Sequence, residues 1–195
     1  MVDPFETLGI APSFDVDLTS VEKRYRELQR VLHPDRHVGG SPADRRASLG
    51  KAVEVNEAWR LLRDPIRRAE ALLRRHGVRI EEGKEPKPEP EFLMEMMEQR
   101  EALSEARASA DPAKVERLAS AVRKREQEVV ARVAAAFARA VPGGAMAVNG
   151  GGATSGELDK VVPLIGELRY YRRFLDEVSA IEDGFSEKGS AVSND

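Results

Sequence analysis

An imidazole and a carboxylate flank a proline at His33-Pro34-Asp35. Proline cannot continue a helix and pushes the residue before it out of helical conformation, so the tripeptide belongs to a turn. Just upstream, Lys23, Arg26 and Arg30 recur at i, i+3 and i+7, one face of a helix. The tripeptide is thus expected in a turn beside a basic helical face. A second grouping has the same flavour: Leu93, Met94 and Met97 stand beside Glu98, Glu101 and Glu105. Methionines next to a carboxylate row suit an adaptable protein-binding patch. Metal and covalent chemistry find less support. His33, Asp35 and His37 are ligand types, but the one further histidine is His76 and the chain has no cysteine. No metal or cofactor is therefore expected, and no thiolate nucleophile or disulfide is available. Neither paired carboxylates nor a Ser-His-Asp set gathers in a recognisable pocket, so no enzymatic activity is expected.

Composition agrees with a helical, water-facing protein. Charged residues make up 33% of the chain, against ~25% on average, and 41% hydrophobic residues suffice for a core. Aromatics are 5%, so aliphatic side chains must fill it. Residues 1–79 hold 15 basic and 12 acidic side chains, and 80–195 hold 16 and 22. The two halves thus present different electrostatic faces, a reason to look for two partners instead of one nucleic acid. With a pI near 5.8, nucleic acid is not an expected ligand. No apolar run reaches the ~18 residues of a membrane span, and no basic-then-apolar leader opens the sequence. No membrane association and a cytoplasmic location are expected.

Proline after a short polar cap marks helix starts at Asp3-Pro4, Ser41-Pro42, Asp64-Pro65 and Asp111-Pro112. The first, short helix closes at Gly9. A second, with a capping box at Thr19 and Glu22, runs to Leu32 with Val21, Tyr25, Leu28 and Leu32 on one face. A third runs from Pro42 to about Arg63. Its Leu49, Ala52, Val53, Asn56 and Trp59 are expected to form the matching face, making an antiparallel hairpin with the turn at its tip. The fourth ends at Gly77. Three prolines and dense charge then predict a semi-rigid linker over 79–90. Beyond it, helices are predicted over about 91–109, 112–140 and 157–183, with a Gly-rich loop at 142–156 and a disordered tail over 186–195. The second of these carries Val115, Leu118, Val122, Val129, Val133 and Phe137, and the third Leu158, Val161, Ile165, Leu168, Leu175 and Val178. No segment alternates with period two. The expected fold is all-α: a four-helix unit over 1–78 and a three-helix bundle over 91–185.

These residues also carry a family resemblance. Tyr25-Arg26-Glu27-Leu28, His33-Pro34-Asp35, Asn56-Glu57-Ala58-Trp59, Leu62-Arg63-Asp64-Pro65 and Arg68-Ala69, in that order, resemble a J-domain. Arg68–Leu73, Glu91–Leu103, Leu168-Arg169-Tyr170 and Phe174-Leu175 are similar to HscB, the co-chaperone family of iron–sulfur cluster biogenesis. The likeness covers roughly 1–183. Arg36 replaces the usual Lys after the tripeptide, keeping the charge, and the Gly-rich insertion has no counterpart we associate with the family. The resemblance implies an HscA- or DnaK-type chaperone as one partner, contacted by His33, Pro34, Asp35, Lys23, Arg26, Arg30 and Arg36, whose ATP hydrolysis it would stimulate. It implies an IscU-type scaffold as client. Helical geometry puts Phe92, Met96 and Leu103 on the core side of their helix and Leu93, Met94, Met97, Glu98, Glu101 and Glu105 roughly opposite. That second face, with Tyr170 from the last helix, is the expected client surface. A general J-domain co-chaperone with another client is the alternative.

Overall fold

The computed structural model describes residues 3–33, 41–78, 80, 88–140 and 155–192. It contains eight helices among them: α1 (Pro4–Leu8), α2 (Leu18–Val31), α3 (Pro42–Arg63), α4 (Pro65–Arg75), α5 (Pro90–Ala108), α6 (Pro112–Ala140), α7 (Ser155–Asp159) and α8 (Val161–Val192). No strand occurs among the described residues. The chain divides into two compact units, Met1–Glu81 with Ala134–Val161, and Glu82–Val133 with Val162–Asp195.

In the first unit the helix starts are set by local cap chemistry. Asp3 accepts hydrogen bonds from the Phe5 and Glu6 amides, and Asp64 from those of Ile66 and Arg67. Ser41 and Asp44 form a reciprocal capping box. For α2 the expected Thr19 cap is displaced. Asp17 is the N-cap, accepting from the Thr19 amide at 3.0 Å and the Ser20 hydroxyl at 2.5 Å. A carboxylate at the positive end of a helix outcompetes a hydroxyl. The Ser20 hydrogen bond in turn holds Asp17 below the usual carboxylate range. Gly9 ends α1 with φ 64°, a left-handed conformation that glycine adopts without steric cost.

Phe5, Leu8, Leu62 and Leu73 are wholly buried at the centre of this unit. Arg68 is the exception to an apolar interior. Its guanidinium donates to the Leu62 carbonyl at 2.5 Å and lies 4.9 Å over the Phe14 ring. Burial pulls its pKa down, opposed by Asp64 and Asp15. Phe14 stacks in turn on Phe137, centroids 5.6 Å apart, so the end of α6 belongs to this unit. Arg75 ties α4 to α1 through Asp3 and Glu6.

In the second unit, α5, α6 and α8 interlock around Met96, Leu103, Val115, Val122, Val129, Leu168, Phe174 and Val178, all buried. Ion pairs join each helix to the other two: Glu95 to Arg125, Arg100 to Glu177 (3.8 Å) and Arg132 to Glu167 (3.3 Å). The α6 stripe falls as the spacing predicts, with Leu118 only half-buried.

Three further expectations change. The face of α3 turned inward is Ser48, Val55, Ala58 and Leu62, whereas Leu49 and Val53 stay 58% and 60% exposed. Close approach to α2 uses the small Ser48, whose hydroxyl donates to the Leu32 carbonyl at 3.2 Å, instead of a larger aliphatic chain. The last helix is broken at Lys160, because Pro163 lacks the N–H that would bond back to Asp159 and its ring crowds that carbonyl. Finally, α8 continues to Val192, past the expected start of a tail at 186. The Gly-rich loop, apart from its last residues, and most of the predicted linker lie outside the described residues.

Candidate functional site

The first candidate surface is built on the α2–α3 hairpin. Tyr25 stacks on Trp59 with centroids 5.4 Å apart, and its hydroxyl donates to Asn56 Oδ1 at 3.1 Å. Gln29 Nε2 donates to the same oxygen at 2.9 Å. Asn56 is therefore the pin between the two helices, and α2 cannot roll without breaking both bonds. With the inner side of α2 pinned, Lys23, Arg26 and Arg30 project as an exposed row. Arg26 meets Glu22 of its own helix at 2.6 Å, and Arg24 meets Glu27 at 3.5 Å. Such exposed pairs stabilise by at most ~1 kcal/mol, so a partner carboxylate can compete for them. His33 follows α2 and is exposed. Pro34, Asp35 and Arg36 lie outside the described residues.

The second candidate surface lies on α5 and α8. Phe92 packs its edge against both Tyr171 and Tyr170, at 5.4 and 5.8 Å. Tyr171 is buried and belongs to the core, where burial, with Glu167 and Glu95 nearby, raises its hydroxyl pKa. Tyr170 is half-buried, with the Arg173 guanidinium 5.6 Å above its ring. On α5, Met96, Leu103 and Ala106 take the core positions. Met94 and Met97 are left 63% and 70% exposed, Leu93 is half-buried, and Glu98, Glu101 and Glu105 are exposed. Glu105 reaches Lys114 at 3.1 Å. The helix thus has one complete core stripe and a second, apolar and acidic side turned outward. Arg173 escaped the sequence reading. Its signal was the i, i+3 spacing from Tyr170, which places a cation over an aromatic ring.

Among the described residues no group of three or more His, Asp or Glu is placed to hold a metal ion, and no helix is long and apolar enough to cross a membrane. The geometry presents side chains for docking.

Comparison with known proteins assigns two segments of the chain. The DnaJ domain family matches residues 3–71, and the family described as the HSCB C-terminal oligomerisation domain matches 88–179. Along both segments the chain is similar to HscB co-chaperones. Co-chaperone protein HscB homologs from Shewanella halifaxensis and Shewanella pealeana are 41% and 40% identical over 108 residues, 55% of this chain. That stretch spans 62% of the length of each of these curated relatives. Among solved structures, chaperone HscB from Vibrio cholerae superposes with a TM-score of 0.77 at 28% identity, covering 94% of this chain and 99% of that one. Human co-chaperone protein HscB does so with a TM-score of 0.78 at 25% identity, covering 93% and 83%. An HscB-type architecture, a J-domain followed by a helical C-terminal domain, accounts for both candidate surfaces lying on one chain.

Proposed function

We propose that this chain is a co-chaperone acting in the cytoplasm: its J-domain engages an HscA- or DnaK-type chaperone and stimulates ATP hydrolysis there, while α5 and α8 carry an IscU-type iron–sulfur scaffold as client. The hydrolysis belongs to the partner, and this chain contributes only contacts. The supporting observation is the outward side of α5. Met94 and Met97 are exposed on a helix whose core stripe is already complete, and Glu98, Glu101 and Glu105 provide a charged rim. Desolvated apolar anchors within a polar rim are how protein interfaces concentrate their affinity. On the J-domain, the exposed row Lys23, Arg26 and Arg30 with His33 leads, in sequence, into Pro34, Asp35 and Arg36.

The test measures ATPase stimulation of an HscA- or DnaK-type chaperone by the wild-type chain and by Asp35→Asn, with and without IscU. Stimulation should vanish in the variant while its melt stays within ~0.5 kcal/mol of wild type, the outcome expected if Asp35 serves the chaperone contact and not the fold. Undiminished stimulation by Asp35→Asn would exclude the J-domain role. A second reading is favoured by the description of the matched C-terminal family as an oligomerisation domain: the outward side of α5 would join copies of this chain. Sedimentation over rising protein concentration, with and without IscU, separates the two.

A further inference from the structure

Sulfur is scarce in this chain and unevenly placed. There is no cysteine, and the five methionines are Met1, Met94, Met96, Met97 and Met146. Met1 and Met146 lie outside the described residues. The other three share one turn of α5 but not one environment. Met94 and Met97 are 63% and 70% exposed, whereas Met96 is 4% exposed and takes a core position. The i, i+3 spacing brings the two exposed thioethers to one side of the helix. Position on the helix thus separates the sulfur that small solutes reach from the sulfur that they do not.

We infer that Met94 and Met97 form a reversible oxidation site, at which a peroxide switches the outward side of α5 from client-binding to client-rejecting. The inference rests on the client reading above and deepens it by naming a regulation of that surface. The sulfur lone pair attacks one peroxide oxygen, and the S–O bond forms as the O–O bond breaks. The other oxygen leaves as hydroxide and takes the proton of the transferred oxygen, giving water. Sulfur loses two electrons and the peroxide gains them. Water has to stabilise the separating charge and pass the proton, so the step belongs to Met94 and Met97 and not to Met96.

Each product side chain carries a polar sulfoxide in place of an apolar thioether. A sulfoxide oxygen accepts hydrogen bonds and donates none. Glu98 and Glu101, one turn beyond Met94 and Met97, are carboxylates and so acceptors themselves. Arg100, three positions beyond Met97, is drawn to Glu177 of α8 at 3.8 Å. A partner shaped for thioethers would therefore bury two acceptors without donors, which is costly. The core stripe of Met96, Leu103 and Ala106 is untouched, so oxidation acts on binding and spares the fold. Methionine sulfoxide reductases, one for each sulfoxide epimer, undo the change.

The test treats the full chain with hydrogen peroxide, removes the peroxide, and titrates the product with an untreated IscU-type scaffold. Peptide mass spectrometry locates the added oxygen, and a thermal melt accompanies each sample. The expected result is one oxygen on each of Met94 and Met97 with Met96 still reduced, an unchanged melt, and a Kd raised about tenfold or more. Treatment with both reductases should restore the affinity. Stimulation of the chaperone's ATPase, measured without scaffold, should be the same before and after peroxide. Met94→Leu/Met97→Leu keeps the apolar bulk without the sulfur and is compared with its own untreated sample. Peroxide should leave its affinity where it was, although Met1 and Met146 remain. An equal loss in that variant would move the effect to another residue and overturn the assignment. So would unchanged affinity with both sulfurs oxidised, Met96 oxidised as fast as its neighbours, a melt lowered by oxidation, or a loss that the reductases do not reverse. If the untreated wild type fails to bind the scaffold, the client reading falls and this inference with it.

Discussion

The two outward surfaces are made in opposite ways. On α2 the exposed row is charged and the helix is held from behind by a polar pin, Asn56, which accepts from both Tyr25 and Gln29. On α5 the exposed centre is apolar and the helix is held from behind by a dry stripe, Met96, Leu103 and Ala106. A charged surface on a pinned hairpin gains encounter rate and orientation, and it is sensitive to salt. An apolar surface on a packed helix gains affinity, and its cost is exposed methionine in the free protein. On the proposed function, the difference would let one chain meet two partners without confusing them, each surface rejecting what the other selects.

The largest expected effect attacks the apolar side. Replacing Leu93, Met94 and Met97 together with Ala should weaken IscU binding by roughly 4 kcal/mol or more if they act as interface anchors. The melt should barely move, because the two methionines lie largely outside the core. Calorimetric titration beside a thermal melt decides it. A collapsed melt would make these residues core, since buried Leu or Met→Ala costs ~2–5 kcal/mol.

Next comes Phe137→Ala. Its ring is 7% exposed and stacked on Phe14, so the first unit should lose ~3 kcal/mol or more. Chemical denaturation checks the loss, and chaperone stimulation should fail at a lower temperature in the variant. A variant as stable as wild type would mean that residues 134–161 do not support the J-domain.

Salt sharpens the contrast at smaller magnitude. Raising ionic strength from 0.1 to 1 M shortens the Debye length from ~10 to ~3 Å, which should slow chaperone association about tenfold or more. Client binding should change little. Stopped-flow association at both interfaces tests this, and equal salt slopes would erase the distinction.

The smallest effect concerns Glu167, whose pKa burial raises despite Arg132 at 3.3 Å. A carboxyl raised in the folded state favours folding when protonated, below its unfolded pKa of ~4.3. That contribution is lost as pH rises through the folded value. Glu167→Gln should therefore melt slightly higher than wild type at pH 7, the gap closing below about pH 4.5. A lower melt at pH 7 would show that the ion pair outweighs burial.

Much of this was legible where the chemistry is local. Asp3, Ser41 and Asp64 declare helix starts because a cap needs only its own next three residues. The α5 surface was legible because two apolar stripes on one helix exceed what one core can use. The inward face of α3 was not. Leu49 and Val53 look like core by type, but the contact with α2 is made by Ser48, Asn56 and Trp59, a choice set by how closely two backbones approach. Nor could any spacing show that Phe137 belongs with Phe14, since that pairing depends on the whole path between them. Tyr170 was legible as an aromatic, and Arg173 above it only as another charge.

The Phe14–Phe137 stack also bears on the order in which this protein becomes complete. Its two rings are 123 positions apart in the chain. At ~5–20 residues per second of synthesis, roughly 6–25 s separate the emergence of the first from that of the second. The stack that completes the N-terminal unit thus forms only after most of the C-terminal one has been made. Throughout that interval the nascent J-domain carries an uncovered phenylalanine beside Arg68, and its final packing step arrives with α6.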